Sequence, residues 1–114
     1  MKLKDLPKNP VEVTLKMLGN KWKVLIIREL LTGTKRFNEL KKTVKGITQK
    51  VLSAKLKELE NDGLLIREEY NQTPPKVEYY LTDEGYSLNT VICAMNDWGK
   101  DYKKYIKLLE KLNN

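Results

Sequence analysis

One stretch of the sequence, GITQKVLSAKLKELENDGLL at residues 46–65, places cationic and hydrogen-bonding side chains on a single helical face. Lys50, Ser53 and Lys57 share that face, and Gln49 lies beside them. Ammonium groups and small polar groups in this arrangement are suited to the phosphates and base edges of a DNA major groove. Taken alone, the same pattern is also typical of an ordinary amphipathic surface helix.

The bounds and the reverse side of this helix are marked in the sequence as well. Thr48 stands where an N-cap residue is expected, and Gly63 follows the last turn as a stop signal. The apolar stripe, which we expect to pack on the rest of the domain, consists of Ile47, Leu52, Leu56 and Leu59, with Val51 at its margin.

Basic residues are concentrated in and just before this helix. The chain has 22 Lys and Arg against 15 Asp and Glu, a net charge of +7. Residues 35–57 contain eight bases and one acid, Glu39, so this segment accounts for the whole excess. A concentrated basic patch is typical of a protein that binds a polyanion, and nucleic acid is favoured over a membrane because the helix lacks a Trp- and Phe-rich face. The eight bases are Lys35, Arg36, Lys41, Lys42, Lys45, Lys50, Lys55 and Lys57.

Catalytic chemistry finds little support in the composition. The sequence contains no histidine, which excludes histidine-based acid–base chemistry, Ser-His-Asp triads and histidine metal sites. Its single cysteine, Cys93, cannot form a thiolate zinc site, and its glycines are isolated rather than grouped in a phosphate-binding loop. We therefore expect no enzyme activity, no metal and no cofactor.

Length and composition predict one soluble domain spanning residues 1–114, of which 40% are hydrophobic and 32% charged. No apolar run approaches the roughly 20 residues that cross a bilayer. The N-terminus lacks the apolar segment of a signal peptide, and one cysteine cannot form an internal disulfide. We expect a cytoplasmic protein without a membrane partner.

The residues before the basic helix predict three more helices. The first runs over residues 10–18, and the second begins at about residue 21 and is broken at residues 32–34. Asn38 is expected to cap a short third helix, after which residues 45–46 turn the chain into the basic one. Two helices joined by a tight turn that contains glycine, the second of them basic, predict a helix-turn-helix.

The residues after Gly63 change from helical to strand periodicity. Residues 64–70 and 76–81 are predicted strands, and the connection between them contains two prolines and must be a loop. A β-hairpin directly after a recognition helix is a wing, and the alternative is a plain hairpin that covers the core. The residues predicted to reach backbone phosphates or the minor groove are Arg67, Gln72, Thr73 and Lys76.

The C-terminal segment, about residues 83–112, is predicted to be helical and to mediate dimerisation. Its apolar residues are spaced alternately by three and four, and a domain of this size has no need of so long a stripe for itself. The alternative is a helix folded back on its own core. Gly99 costs about 1 kcal/mol relative to Ala in a helix, so a kink there is compatible with the pattern. The stripe consists of Leu88, Val91, Met95, Trp98, Tyr102, Tyr105, Leu109 and Leu112.

Cys93 lies near this stripe, where we expect a buried cysteine that acts as a small hydrophobic residue. A thiol sensor is the alternative role. The acids Glu58, Glu60 and Asp62 are expected to form a solvated face of the basic helix.

Three segments carry a family resemblance: NPVEVTLKMLGNKWKVLII, KRFNELKKTVKGITQKVLSAKLKELENDGLL and PPKVEYYLTDEG. Together, over about residues 10–99, they resemble the HxlR-type branch of the MarR-like winged-helix transcriptional regulators. The resemblance implies an α+β, mostly helical fold, a winged helix-turn-helix DNA-binding domain with a β-hairpin wing and terminal dimerisation helices. It also implies a homodimer on an inverted-repeat operator in double-stranded DNA, with repression as the expected outcome.

Two features of the family bear on regulation. Many members carry a cysteine immediately before the Pro-Val-Glu motif, and this thiol senses oxidants or electrophiles in several of them. Here the position is Asn9, so thiol sensing by that route does not carry over. A small-molecule effector is compatible with the resemblance, but the sequence does not identify one.

The residues then divide into two predicted groups of DNA contacts. Gln49, Lys50, Ser53 and Lys57 are expected at or beside base edges. The residues expected to hold phosphates are Lys35, Arg36, Lys42, Lys45, Arg67 and Lys76. The alternative function is that of a dimeric protein-interaction module whose basic face binds an acidic protein partner.

Overall fold

The computed structural model describes residues 2–114; Met1, the first residue of the predicted domain, lies outside the described part. A single 3-10 turn at Leu3–Asp5 precedes the regular elements. These follow in the order α1 (Pro10–Leu18), α2 (Lys21–Leu30), α3 (Phe37–Thr43), α4 (Gln49–Asn61), β1 (Leu65–Tyr70), β2 (Lys76–Leu81), α5 (Asp83–Ser87) and α6 (Asn89–Leu112). The predicted class, mostly helical α+β with a hairpin after the basic helix, is confirmed.

Asparagine side chains cap the starts of the first two helices, and a glycine ends the first. Asn9 Oδ1 accepts a hydrogen bond from the Val11 amide at 2.9 Å, and Asn20 Oδ1 accepts one from the Trp22 amide at 3.0 Å. Each cap satisfies a backbone donor that the first helical turn leaves unpaired. Gly19 ends α1 with φ of +64°, a left-handed conformation that glycine adopts without steric cost.

Helix α3 begins earlier than the sequence suggests, so the expectation that Asn38 caps it is wrong. Its N-cap is Arg36, whose backbone amide donates to Glu39 Oε1 at 2.9 Å. Glu39 therefore reaches back to the residue before the helix, as the acid of a capping box does. The helix ends at Thr43, and Val44 lies just beyond it and is buried.

Helix α4 follows the predicted pattern. Thr48 Oγ1 accepts a hydrogen bond from the Val51 amide at 3.2 Å, and Gly63 ends the segment with φ of +76°. Leu52 and Leu59 are completely buried against α2, β1 and the rest of the core. The core cluster also contains Leu18, Ile26, Ile27, Leu30, Leu40, Val44, Ile47, Leu56, Leu64, Leu65, Tyr79, Leu81 and Ile92.

The wing is an antiparallel hairpin in which Leu65 pairs with Leu81 and Tyr70 with Lys76. A bridge between Lys35 and Tyr79 attaches the segment before α3 to the other side of β2. Because successive side chains of a strand point to opposite faces, the hairpin has an inner face with Leu65, Tyr79 and Leu81, which are buried. Packing of this face on α4 fixes the wing beside the helix.

The C-terminal segment, predicted to be helical over about residues 83–112, consists of two helices. Thr82 Oγ1 caps α5 by accepting from the Gly85 amide at 3.1 Å, and the chain bends at Leu88 before α6 begins. Helix α6 then continues through Gly99 without a break. Helix α6 contains 24 residues and is therefore about 36 Å long.

Most of α6 extends away from the body of the protein. The radius of gyration is 17.1 Å, whereas a compact chain of this length has about 13 Å. Ile92 is buried against the core, but every residue from Lys100 onward is exposed. The stripe therefore does not fold back on the core beyond the first turns of α6. Within residues 2–114, no helix combines the length and apolar character needed to cross a membrane.

Candidate nucleic-acid interface

The outer face of α4 carries the residues predicted at base edges. Gln49, Lys50, Ser53 and Lys57 are all exposed, whereas the apolar stripe of the same helix is buried. The contrast follows from helical periodicity, because residues three, four or seven apart share a face. The fold thus presents one row of polar side chains to solvent on a helix anchored from behind.

The basic segment leaves most of its charges without an intramolecular partner. Among the eight bases of residues 35–57, only Lys55 forms an ion pair within the described part of the chain, with Glu58 at 3.1 Å. Arg36, Lys42 and Lys45, predicted to hold phosphates, are exposed, and Lys35 is half-buried at its bridge to β2. Unpaired cations on a rigid helix pair can form ion pairs with a polyanion without first breaking internal ones.

One of the two wing cations lies beside α4. Arg67, on the inner face of β1, lines a shallow depression of ≈ 340 Å³ together with Ser53, Lys57, Glu60 and Tyr79. Its guanidinium forms an exposed ion pair with Glu69 at 3.4 Å. The structure therefore brings Arg67 together with two residues of the outer α4 face.

The other wing cation, Lys76, lies on the outer face of the hairpin. Its ammonium is 3.6 Å from Glu78 Oε2 and 5.0 Å from the centre of the Tyr70 ring. Lys76 and Arg36 both line a second depression, at the start of α3. Gln72 and Thr73 are exposed in the loop at the tip of the hairpin.

Two glutamates face each other on the outer face of the wing. Glu68 is the cross-strand partner of Glu78, and the Tyr80 hydroxyl donates to Glu68 Oε2 at 2.9 Å. Like charges directly opposite one another on neighbouring strands repel. The hydrogen bond to Glu68 raises the pKa of Tyr80, and burial followed by the charge of Glu68 raises the pKa of Tyr70. This face is anionic and so does not suit a phosphate backbone.

Two expectations about titratable and thiol groups are wrong. Cys93 is exposed rather than buried, and its thiol donates to Asn89 Oδ1 at 3.4 Å. Glu58 and Asp62 do not form a purely solvated face, because both pair with Lys23 of α2. Lys23 is the buried residue that the sequence reading missed, since nothing in its immediate sequence indicates a partner 35 or more positions away.

The sequence matches one family along most of its length. The sequence model of the HxlR-like helix-turn-helix family matches residues 17–107. This range covers the helix-turn-helix, the wing and most of α6.

Individual relatives agree with that match. The chain is 52% identical over 101 residues to an uncharacterised HTH-type transcriptional regulator of Bacillus subtilis, YdeP, covering 89% of this chain and 79% of that protein. The redox regulator HypR in its reduced form superposes with a TM-score of 0.81 at 42% identity, covering 87% of this chain and 98% of HypR. The HTH-type regulator ytcD superposes with a TM-score of 0.80 at 45% identity, covering 84% of this chain and 98% of ytcD.

Proposed function

The chain belongs to the HxlR-like helix-turn-helix family of transcriptional regulators, and from that premise we propose that it represses transcription by binding an inverted-repeat operator as a homodimer. Each protomer would place α4 in a major groove, with Gln49, Lys50, Ser53 and Lys57 at or beside base edges. Lys35, Arg36, Lys42, Lys45 and Arg67 would hold the flanking phosphates, with a smaller contribution from Lys76.

One observation carries this proposal: α4 is buried on one side and exposes a row of polar side chains on the other, and the cations of residues 35–57 other than Lys55 form no ion pair within residues 2–114. Side chains of this kind can read base edges only if the helix presenting them is held rigidly. Burial of Leu52, Leu56 and Leu59 anchors α4 on the core of the domain. The surrounding cations supply the sequence-independent part of the affinity.

The second protomer is inferred from the apolar side chains of α6 that the chain leaves uncovered. Trp98 is 67% exposed and stacks on Tyr102, with ring centroids 5.2 Å apart. Leu88 and Val91 pack against the chain's own core, so the interface would consist mainly of Met95, Trp98, Tyr102, Tyr105 and Leu109. Val11 and Leu15 of α1 are also more than half exposed and would extend it. Exposed apolar side chains of this size along one helix face are typical of a protein–protein contact.

Thiol sensing by the route described for the family is not part of the proposal. HypR is a redox regulator, but in this chain the residue before the Pro-Val-Glu motif is Asn9. The Asn9 side chain caps α1 through its hydrogen bond to Val11. It has a structural role there and no redox chemistry.

Binding to duplex DNA at increasing salt concentration distinguishes this function from an interaction with an acidic protein. A regulator that recognises a DNA site should keep measurable affinity for mixed-sequence duplexes at about 0.15 M salt. The logarithm of its binding constant should fall linearly with the logarithm of the salt concentration. A surface that is merely basic should lose duplex binding at that salt while keeping its affinity for an acidic protein. That second outcome would replace the proposal with the interaction module.

Substitution of the two wing cations should have unequal effects on DNA binding. Arg67→Ala is expected to lower the salt slope by about 1 per protomer and to weaken binding to all sequences alike, because Arg67 lies beside the outer face of α4. The sequence alone predicts the same for Lys76→Ala, but Lys76 lies on the outer face of the hairpin beside the facing Glu68 and Glu78, which predicts a smaller change. Equal slopes in the two variants would mean that the wing meets DNA through both faces. The slopes can be measured by fluorescence anisotropy.

Trp98→Asp should separate the protomers. It places a charge at the centre of the proposed interface and removes a large aromatic contact, so the dimer dissociation constant should rise at least about a hundredfold. Lys100→Asp is the matched control, because it puts the same side chain two residues away on the face opposite the stripe. Sedimentation velocity over a concentration series measures both. A Trp98 variant that dimerises like the control would exclude this face as the interface.

A further inference from the structure

A buried ammonium group joins the start of α2 to the end of α4. Lys23 is 8% exposed, and its Nζ lies 3.3 Å from Glu58 Oε2 and 3.6 Å from Asp62 Oδ2. Lys55 approaches the same Glu58 oxygen at 3.1 Å from within α4. Glu58 and Asp62 are one turn apart, so Lys23 holds α4 at two successive points along one face.

Each of these charges lies at the end of its helix where the helix dipole disfavours a charge of that sign. A cation in the first turn of α2 and acids in the last turns of α4 are each disfavoured by the helix dipole. Pairing across the two helices offsets that cost. The Lys55 hydrogen bond, with a further contribution from Lys23, lowers the pKa of Glu58, so its carboxylate is charged at neutral pH.

Space for the Lys23 side chain comes from the end of α1. A Cβ atom added at Gly19 would lie 3.0 Å from Lys23 Cδ, so the glycine leaves room for the buried stem. The stem is therefore confined between two helices. Its ammonium group has little freedom to leave the two carboxylates.

The ion pairs of Lys23 restrict a rotation of α4 about its own axis that apolar packing restricts only weakly. Hydrophobic burial is non-directional, so Leu52, Leu56 and Leu59 tolerate small rotations of α4 about its own axis. Successive residues are about 100° apart around the helix axis, so Lys50, Ser53 and Lys57 lie on one face of α4. A small rotation of the helix therefore moves all three side chains sideways together. Two ion pairs one turn apart resist this rotation, because they depend on short distances between defined atoms.

We propose that Lys23 is a positioning residue that fixes the rotation of α4 and thereby sets the ratio of specific to non-specific DNA affinity, without touching DNA. The inference rests on the proposed function. It differs from a general contribution to stability because it predicts a loss of discrimination rather than a loss of all binding. It also differs from a phosphate contact, which would change the salt slope.

Lys23→Met tests this role, because methionine keeps a long flexible stem and removes the charge. The specific-to-non-specific ratio should fall about tenfold, the loss of roughly one good base contact, while the salt slope stays that of the wild type. Lys23→Arg keeps donors for both carboxylates and should retain most of the ratio. Lys21→Met is the control, since it removes the same charge from an exposed position on the same helix.

A second variant guards against a failure to fold. Glu58→Gln combined with Asp62→Asn removes the other half of the contact and should lower the ratio in the same direction. Circular dichroism identifies the temperature range in which every variant is folded, and anisotropy titrations with an operator duplex and a scrambled duplex give the ratio there.

The outcomes separate the inference from the function on which it rests. A wild-type protein that discriminates and a folded Lys23→Met variant that discriminates equally well would overturn the inference alone. A parallel loss of both affinities, or a salt slope lowered by about 1 per protomer, would also overturn it. A wild-type protein without any sequence preference would overturn both.

Discussion

Gly85→Ala is expected to destabilise the fold by about 3 kcal/mol or more. Gly85 is buried in α5, and an added Cβ would overlap the backbone carbonyl oxygen of Leu64. It would also lie 3.1 Å from Leu81 Cβ. That carbonyl accepts a hydrogen bond from the Thr82 amide at 3.1 Å, so it cannot move without breaking the junction between wing and α5.

Gly99→Ala is the matched control for this substitution. Gly99 is also helical, but nothing lies within 4 Å of an added Cβ. Alanine is the better helix former, so the control should leave the chain unchanged or more stable by up to about 1 kcal/mol. Urea unfolding monitored by circular dichroism compares the two. A Gly85 variant as stable as the control would show that α5 can move away from the wing at little cost.

Removal of two cations from the outer face of α4 should abolish tight DNA binding. Lys50→Ala combined with Lys57→Ala is expected to weaken operator binding at least about a hundredfold and to lower the salt slope by about 2 per protomer. Both side chains are exposed and neither has an internal ion pair within the described residues, so each is available to DNA.

Lys100→Ala combined with Lys107→Ala controls for net charge. These lysines have the same spacing of seven residues, are exposed, and lie on α6 opposite the apolar stripe. Each pair of substitutions lowers the net charge of +7 by two. The control should therefore keep nearly all the affinity. Comparable losses in the two variants would indicate diffuse attraction by charge instead of a defined interface.

Local patterns predicted the elements whose structure depends on nearby residues. The Thr48 cap, the stop at Gly63 and the burial of Leu52, Leu56 and Leu59 follow from spacing within one helix. The strands of the wing follow in the same way from alternation and from the prolines between them. In each case the deciding contacts lie within a few positions along the chain.

The features that sequence reasoning missed depend on contacts between distant elements or on small shifts at helix ends. Lys23 reaches acids on α4 only because α2 packs against that helix. The bend at Leu88 leaves the spacing of apolar residues unchanged, so the stripe cannot reveal it. Arg36 caps α3 with its backbone, and no Ser, Thr, Asp or Asn marks that position.

Arg67 and Lys76 show the same limit within the candidate site. Both are basic residues of the hairpin, and the sequence alone predicts that both hold phosphates. The cross-strand register places them on opposite faces, one beside α4 and one above Tyr70 and Glu78. Their different roles therefore depend on which face of the hairpin packs on α4, and this is a property of the folded chain.

Selection from a random duplex library with the purified protein at about 0.15 M salt tests whether the dimer recognises a defined operator, because charges on exposed surfaces are then screened beyond about 8 Å. A homodimer that binds DNA through α4 should enrich an inverted repeat whose half-sites lie about one helical turn apart, matching two copies of α4 on one face of the duplex. A flat selection, or enrichment of a single unrepeated site, would contradict binding as a dimer to a defined operator.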